Sequence, residues 1–215
     1  MTARSALLLA VAATGCASYS NRLSATPLAE GTGELGVAVD ALVVERGREY
    51  IALPLPEVSY RRGLRPGLDI GGTAHLTGAE ASLRIALLER GRIAAAWVAA
   101  MALGFEPVTN NTTDLLYARA SPRLVAELRP GHPQSQWPTW IATAAPSLTF
   151  TGPATMFHGI TGDARTIARP GAALAARWPL AAGRAFWLEL TAQPAYAIGD
   201  GWIAASYQSG AAFTW

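Results

Sequence analysis

The feature that most constrains this chain is a two-residue alternation of apolar and polar side chains, repeated along most of its length without a long apolar run. From residue 35 onward about ten segments alternate in this way, separated by Gly, Pro, Asn or charged turns. After the first fifteen residues there is no uninterrupted apolar stretch of about 20 residues, so no transmembrane helix is predicted. The chain is 51% hydrophobic and 15% charged, whereas a soluble domain is about 25% charged. These features predict an all-β protein, either soluble with a large core or spanning a membrane as a barrel.

The predicted strands are all bounded by turn residues. They cover residues 35–45, 51–63, 68–77, 79–89, 92–105, 115–129, 139–151, 170–180, 185–196 and 201–215. The fifth is rich in Ala, which also suits a helix. Four prolines lie inside predicted strands, where each removes a ladder hydrogen bond, so the number of strands could be eight rather than ten. They are Pro122, Pro146, Pro179 and Pro194. The longest predicted connection is residues 152–169.

The N-terminus has the layout of an export signal. Arg4 precedes an apolar stretch at residues 5–13, followed by small residues and Cys16, the only cysteine in the chain. Residues 13–16 resemble the lipobox of bacterial lipoproteins, which implies cleavage before Cys16 and attachment of lipid to its thiol. The alternative is ordinary cleavage after Ala17. On the first reading residues 1–15 are a lipoprotein signal peptide, 16–33 a tether and 34–215 the barrel domain.

The C-terminus resembles the β-signal of outer-membrane barrels, in which a glycine is followed by an aromatic-x-aromatic ending. Here the matching residues are Gly210, Phe213 and Trp215. The resemblance implies an antiparallel up-and-down transmembrane β-barrel of about 10 strands, located in the bacterial outer membrane. It also implies membrane lipid and the barrel assembly machinery as partners.

The aromatic residues favour the membrane barrel over the soluble one. Most fall at predicted strand ends, where membrane barrels carry aromatic girdles. Trp187 is predicted to point into the lumen. The residues assigned to the periplasmic girdle are Trp137, Trp140, Trp178 and Trp215, and those assigned to the outer girdle are Tyr50, Phe105, Phe150, Tyr196 and Trp202.

The polar faces of the predicted strands carry charges of both signs in near balance. Inside a narrow barrel such charges must pair, because an isolated buried ion is very costly. The predicted lumen network consists of Asp40, Glu57, Arg61, Asp69, Glu80, Arg84, Arg119, Arg123, Glu127, Arg177 and Glu189. The opposite faces are almost free of charge, with Arg62 as the exception.

The favoured function is an outer-membrane barrel lipoprotein with a structural or surface-interaction role and a closed lumen. One alternative is a narrow channel for small polar solutes, with Arg119, Arg123 and Arg177 facing Glu127 and Glu189. Another is a lipid-modifying enzyme, and a third is a soluble lipoprotein barrel that binds an apolar ligand. The net charge of +2 and the absence of a Lys/Arg run argue against nucleic acid.

No catalytic residue, metal ligand or cofactor site is predicted. None of the three histidines, His75, His132 and His158, stands at a metal-ligand spacing from Cys, Asp or Glu. His75 is expected to face the lumen as a hydrogen-bonding group.

Overall fold

The computed structural model describes residues 23–46, 49–75, 78–108, 113–131, 137–153, 165–180, 183–198 and 201–215. Within them the chain is all-β. The strands are β1 (Gly33–Arg46), β2 (Glu49–Arg65), β3 (Leu68–His75), β4 (Gly78–Arg90), β5 (Ile93–Val108), β6 (Thr113–Leu128), β7 (Thr139–Ala144), β8 (Ser147–Pro153), β9 (Arg165–Arg169), β10 (Ala172–Pro179), β11 (Ala185–Ala197) and β12 (Gly201–Thr214). No helix in the described part of the chain is long and apolar enough to cross a membrane.

The strands form one closed antiparallel barrel. β7 and β8 both pair with β6, and β10 and β9 both pair with β11, so each of these couples occupies one strand position in the wall. The first strand pairs with the last, with Gly36 opposite Thr214. The twelve segments therefore make a ten-strand barrel, which confirms the predicted fold class and decides the strand number in favour of ten. The lower rim is the end where β1 begins and β12 ends; the other end is the upper rim.

The predicted alternation sorts side chains between lumen and exterior. On β1, Val39 is 60% exposed on the outside, while the next residue, Asp40, is 1% exposed on the inside. The Ala-rich segment is the strand β5, and from residue 94 to residue 102 its lumen face carries small or β-branched side chains, namely Ala94, Ala96, Val98, Ala100 and Ala102. These short side chains leave room inside the barrel for the long arginines of β4 and β6.

The longest predicted connection is shorter than expected. Residues 165–169 of the predicted loop 152–169 form β9, which pairs with β8 on one side and β11 on the other. The sequence prediction began the next strand at Pro170. In the structure the proline interrupts the strand without ending it.

Four prolines lie side by side on the outer face of the barrel wall. Pro122 of β6 and Pro194 of β11 flank Pro146 and Pro170, which stand at the breaks between β7 and β8 and between β9 and β10. All four are exposed or partly exposed. The flanking pairs that fix this alignment are Leu124–Ala144, Ala120–Leu148, Ala144–Ala172, Ser147–Arg169, Ala172–Ala192 and Ala168–Tyr196. We call this line the proline row.

The proline row removes four amide donors from one level of the wall, because proline has no N–H. Two contacts repair part of this loss. Ala145 N–H donates to Gly171 O at 2.7 Å, and Ser121 Oγ donates from the lumen side to Pro146 O at 3.1 Å. Polar lumen side chains thus stabilise the backbone where the ladder cannot.

We expect amide hydrogens beside the proline row to exchange faster than those lower in the same strands. A hydrogen bond contributes about 1 kcal/mol to local stability, so an amide in a region that lacks one should exchange about five- to tenfold faster. Hydrogen exchange of the detergent-refolded barrel, read by mass spectrometry, compares Ser147 and Gly171 with Ile141 and Ala175. A Pro146→Ala variant restores one backbone N–H donor and should reduce the difference in exchange rate between these two sets of amides. Equal exchange rates along these strands in the wild type would contradict the expectation.

The N-terminal segment that precedes β1 enters the lower mouth of the barrel. The sequence predicts a tether over residues 16–33, but Leu23 and Ala25 are 9% and 0% exposed and belong to the lumen core. The segment leaves the lumen along β2, where Glu30 bridges to Gly63. A Cβ at position 63 would lie 2.1 Å from Ala29 O, so this close approach requires glycine. Residues 1–22, with the predicted signal peptide and Cys16, lie outside the described residues.

Candidate functional site: a charged lumen closed from within

Asp69 on β3 is the centre of the lower part of the lumen. Arg84 Nε lies 3.1 and 3.0 Å from its two carboxylate oxygens, and Arg84 Nη2 contacts Oδ2 as well. Arg61 Nη2 donates to Oδ2 at 3.1 Å, while its Nη1 donates to Glu34 at 3.2 Å. Asp69 and Arg84 are 2% and 1% exposed. Charges this deeply buried are stable only when paired and hydrogen-bonded, and these satisfy that condition.

The N-terminal segment takes part in this network through its backbone. Leu28 N–H donates to Asp69 Oδ2 at 2.9 Å, and Ala25 N–H donates to Glu127 Oε2 at 2.8 Å. Ser24 Oγ donates to the same Glu127 oxygen at 2.7 Å, and Arg84 Nη1 contacts Ser24 O. Residues 23–28, which we call the plug, therefore bind to two carboxylates on the barrel wall.

Arg129, just beyond the end of β6, fastens the plug at the rim. Its Nε donates to Glu127 Oε1 at 2.9 Å, and its Nη2 donates to Glu89 at 3.0 Å and contacts Thr26 Oγ1. Partial burial lowers the pKa of Arg129, but its hydrogen bonds to Glu127 and Glu89 outweigh this effect and raise the pKa overall. The guanidinium therefore stays charged, as this bridging position requires.

The upper part of the lumen is organised around Glu80 on β4. Arg119 Nη2 lies 2.9 Å and Arg123 Nη2 2.5 Å from Glu80 Oε2, and Arg123 Nε donates to Ser121 Oγ at 3.3 Å. The two arginines are 2% and 4% exposed. They stand on the lumen face of β6 on either side of Ser121, and Glu80 on β4 reaches both across β5.

Asp40 and Glu189 lie on either side of Gly210, with which both pair in register. Gln208 Nε2 donates to Asp40 Oδ2 at 2.6 Å, and Thr191 Oγ1 donates to Glu189 Oε1 at 2.8 Å. A Cβ at position 210 would lie 1.6 Å from Asp40 Oδ1. The carboxylate of Asp40 thus occupies the space that a side chain at position 210 would need, which gives this glycine a structural role.

Arg177 stands over an aromatic ring. Its Cζ lies 5.3 Å from the centroid of Trp187, a cation–π distance, and Trp187 Nε1 donates to Thr214 Oγ1 at 3.3 Å. Trp187 is fully buried and packs with the apolar plug residues in one cluster.

Little free volume remains between these groups. A cavity of about 40 Å³ lies between β1 and β4, bordered by Glu34, Glu57, Arg61, Glu80 and Arg123. That volume holds only a few water molecules. The described lumen is closely packed in this region.

The structure places the eleven predicted network residues on the lumen face. Among their contacts, Arg119 and Arg123 pair with Glu80, Glu127 binds the plug and Arg129, and Arg177 lies on Trp187. Glu57 pairs in register with His75 and is 6% exposed.

The sequence prediction missed three charged groups of the lumen and rim. Glu34 lies one alternation step before the predicted start of the first strand, and Arg169 was assigned to the long loop although it is 5% exposed and donates to Thr149 at 2.8 Å. Arg129 was taken as a strand end. Extending the odd–even alternation by one step identifies Glu34, but no pattern in the sequence marks residues 23–28 as a plug.

The predicted C-terminal residues lie at the seam where the barrel closes. Phe213 is 51% exposed on the outer face, and Trp215 is 50% exposed and exchanges two backbone hydrogen bonds with Leu35. Trp137, Trp140, Phe150 and Tyr196 are also exposed; the side chains of Tyr50, Phe105 and Trp202 lie outside the described part. Within the described ranges no group of three or more His, Cys, Asp or Glu residues is arranged to hold a metal ion.

No protein-family model and no curated protein matches the chain. Solved structures with a similar fold include neisserial surface protein A, with a TM-score of 0.46 and 9% identity over 85% of this chain and 95% of that one. They also include Ail, the attachment invasion locus protein of Yersinia pestis, with a TM-score of 0.34 and 11% identity over 86% of this chain and 99% of that one. What the chain's own geometry establishes is a closed ten-strand antiparallel β-barrel with a charged interior.

Proposed function

We propose that this chain is a bacterial outer-membrane β-barrel with a closed lumen and a structural or surface-interaction role. The observation that carries the proposal is its inverted distribution of polarity. Met101 and Leu103 are 68% and 67% exposed on the outer wall, whereas Arg84 on the neighbouring strand is 1% exposed inside. In water, a continuous apolar belt of this kind would drive association. In a bilayer it is the surface expected of a closed barrel.

The aromatic residues support the same placement. Trp137, Trp140, Trp178, Phe186 and Trp215 lie at or near the lower rim, and Phe186 contacts Trp178 and Phe213 with ring centroids 5.9 and 5.2 Å apart. Phe150, Tyr196 and Tyr207 lie higher on the outer wall. Rings at two levels match the two interfaces of a membrane.

The closed lumen is supported by the plug, by the Glu80 cluster and by the small volume left between them. The C-terminal strand β12, which pairs with β1 to close the barrel, supports recognition of Gly210, Phe213 and Trp215 by the barrel assembly machinery. We further propose that Cys16 carries lipid. Cys16 lies seven positions before Leu23, and an extended chain of that length spans about 25 Å, enough to reach a membrane interface from the lower mouth.

The test is gel mobility of the outer-membrane fraction with and without boiling, using the wild type and a Cys16→Ser variant. A heat-dependent shift in both, with retention in the membrane after alkali washing, is the expected result, because the wall itself would be embedded. Release of Cys16→Ser by alkali would instead establish a soluble β domain held only by its lipid.

The closed lumen has its own measurement. Refolded protein in a planar bilayer is expected to give no stepwise currents, since the described lumen is packed. Stable unitary conductance would contradict the closed lumen and establish the narrow channel.

A further inference from the structure

Beyond this function, the lower rim of the barrel is divided into two unlike parts. Most aromatic side chains of this rim lie on or beside β7, β10, β11 and β12, with Tyr60 on β2 as an exception. Around β2, β4 and the turns that follow them stand four exposed arginines, which we call the basic arc: Arg62, Arg65, Arg90 and Arg92. Arg62 faces the outside of the wall, two residues below the exposed ring of Tyr60.

The charge of the basic arc is not neutralised by neighbouring side chains. Arg62, Arg65 and Arg90 make no ion pair with any described residue. Two exposed carboxylates stand nearby, Glu30 and Glu89, and Glu89 is paired with Arg129. Residues 1–22, 132–136 and 181–182, whose placement is not described, contain no acidic residue. The described side chains therefore leave a net positive charge on this rim, open to an anion from outside the chain.

Other segments of the sequence contain more acidic residues than arginines. In the sequence, segments 45–49, 106–114, 163–165 and 200 contain six acidic residues and three arginines.

We propose that the basic arc binds the phosphates of anionic phospholipids in the leaflet that surrounds the lower rim. The inference rests on the membrane placement proposed above. Clusters of four or more arginines beside a membrane-embedded segment attract anionic lipid headgroups, and a guanidinium binds phosphate through paired hydrogen bonds. Arg62 lies at the edge of the apolar belt, where its long side chain extends along the wall to the headgroup level. Phospholipid is favoured over lipid A because the turns between β2 and β3 and between β4 and β5, at this rim, have only two residues each, and outer-membrane barrels carry their short turns on the periplasmic side.

The experiment is native mass spectrometry of the full mature chain. The protein is released from micelles that contain equal amounts of phosphatidylglycerol, phosphatidylcholine and lipid A. The wild type is expected to retain phosphatidylglycerol at least about fivefold over phosphatidylcholine. The variant Arg62→Gln/Arg65→Gln, and the same variant extended by Arg90→Gln, should lose this preference stepwise. Arg184→Gln is the matched control, because Arg184 is exposed at the same rim on the aromatic side; it should leave the preference unchanged.

Four outcomes overturn the proposal. Equal retention of the two phospholipids by the wild type, or an equal loss in Arg184→Gln, would contradict the basic arc as the binding surface. Preferential retention of lipid A would place the arc in the opposite leaflet. Failure to retain any lipid, phosphatidylcholine included, would instead contradict the membrane placement itself.

Discussion

Replacing Asp69 by asparagine is expected to lower the free energy of unfolding by about 3–5 kcal/mol. The substitution keeps the shape of the side chain but removes the negative charge that binds Arg61 and Arg84. It also replaces one carboxylate oxygen by an NH2 group, which cannot accept a hydrogen bond from Leu28 N–H or from the arginines. Two guanidinium groups would then remain buried beside a neutral partner. The loss of unfolding free energy is measured by urea unfolding of the refolded barrel, with the heat-dependent gel shift as the readout of the folded fraction.

Glu89→Gln is the matched control for this experiment. Glu89 also forms an ion pair, with Arg129 at 3.0 Å, but its side chain is 54% exposed. Water replaces such a contact at little cost, so the expected change is less than about 1 kcal/mol. If the two variants lost the same small amount of stability, the lumen would be hydrated and its ion pairs would not support the fold.

A cysteine placed at position 25 is expected to react with a water-soluble maleimide at least about 100-fold more slowly than one at position 32. Ala25 is fully buried in the plug, whereas Thr32 is exposed where the same segment leaves the barrel. Both variants carry Cys16→Ser, so that the introduced thiol is the only one. The labelling rate at position 25 then measures how often the plug leaves the lower mouth.

Glu127→Gln provides the second arm of the labelling experiment. Glu127 accepts hydrogen bonds from Ser24 Oγ and Ala25 N–H, and its loss should raise the labelling rate at position 25 while leaving the rate at position 32 unchanged. Equal rates at the two positions in the otherwise unmodified barrel would contradict the plug as a stable part of the lumen.

Both predictions test the binding of the plug to carboxylates of the barrel wall. Asp69 and Glu127 each bind a backbone N–H of the plug while also pairing with arginines of the wall or rim. The plug therefore completes the coordination of carboxylates that the wall alone leaves with unused acceptor positions. Stability of the barrel and closure of its lower mouth are coupled through the same groups.

The alternation in the sequence was sufficient to predict the wall. Val39 and Asp40, adjacent in the chain, face opposite sides because successive side chains of a strand do so. The same rule placed Arg84, Arg119 and Arg123 inside. The number of strands could not be predicted from the alternation, because Pro146 and Pro170 interrupt strands that continue beyond them. Only their common pairing with β6 shows that β7 and β8 occupy one strand position in the wall.

The sequence by itself determined which face of each strand is apolar, and with it the all-β class and the charged interior, because these follow from side-chain chemistry with a period of two residues. The tertiary structure alone decided which charges meet. Glu80 pairs with Arg119 across the whole width of β5, and residues 23–28 bind carboxylates more than 40 residues away in the chain. Such contacts depend on register and barrel closure, which bring together groups whose separation in sequence carries no periodic signal.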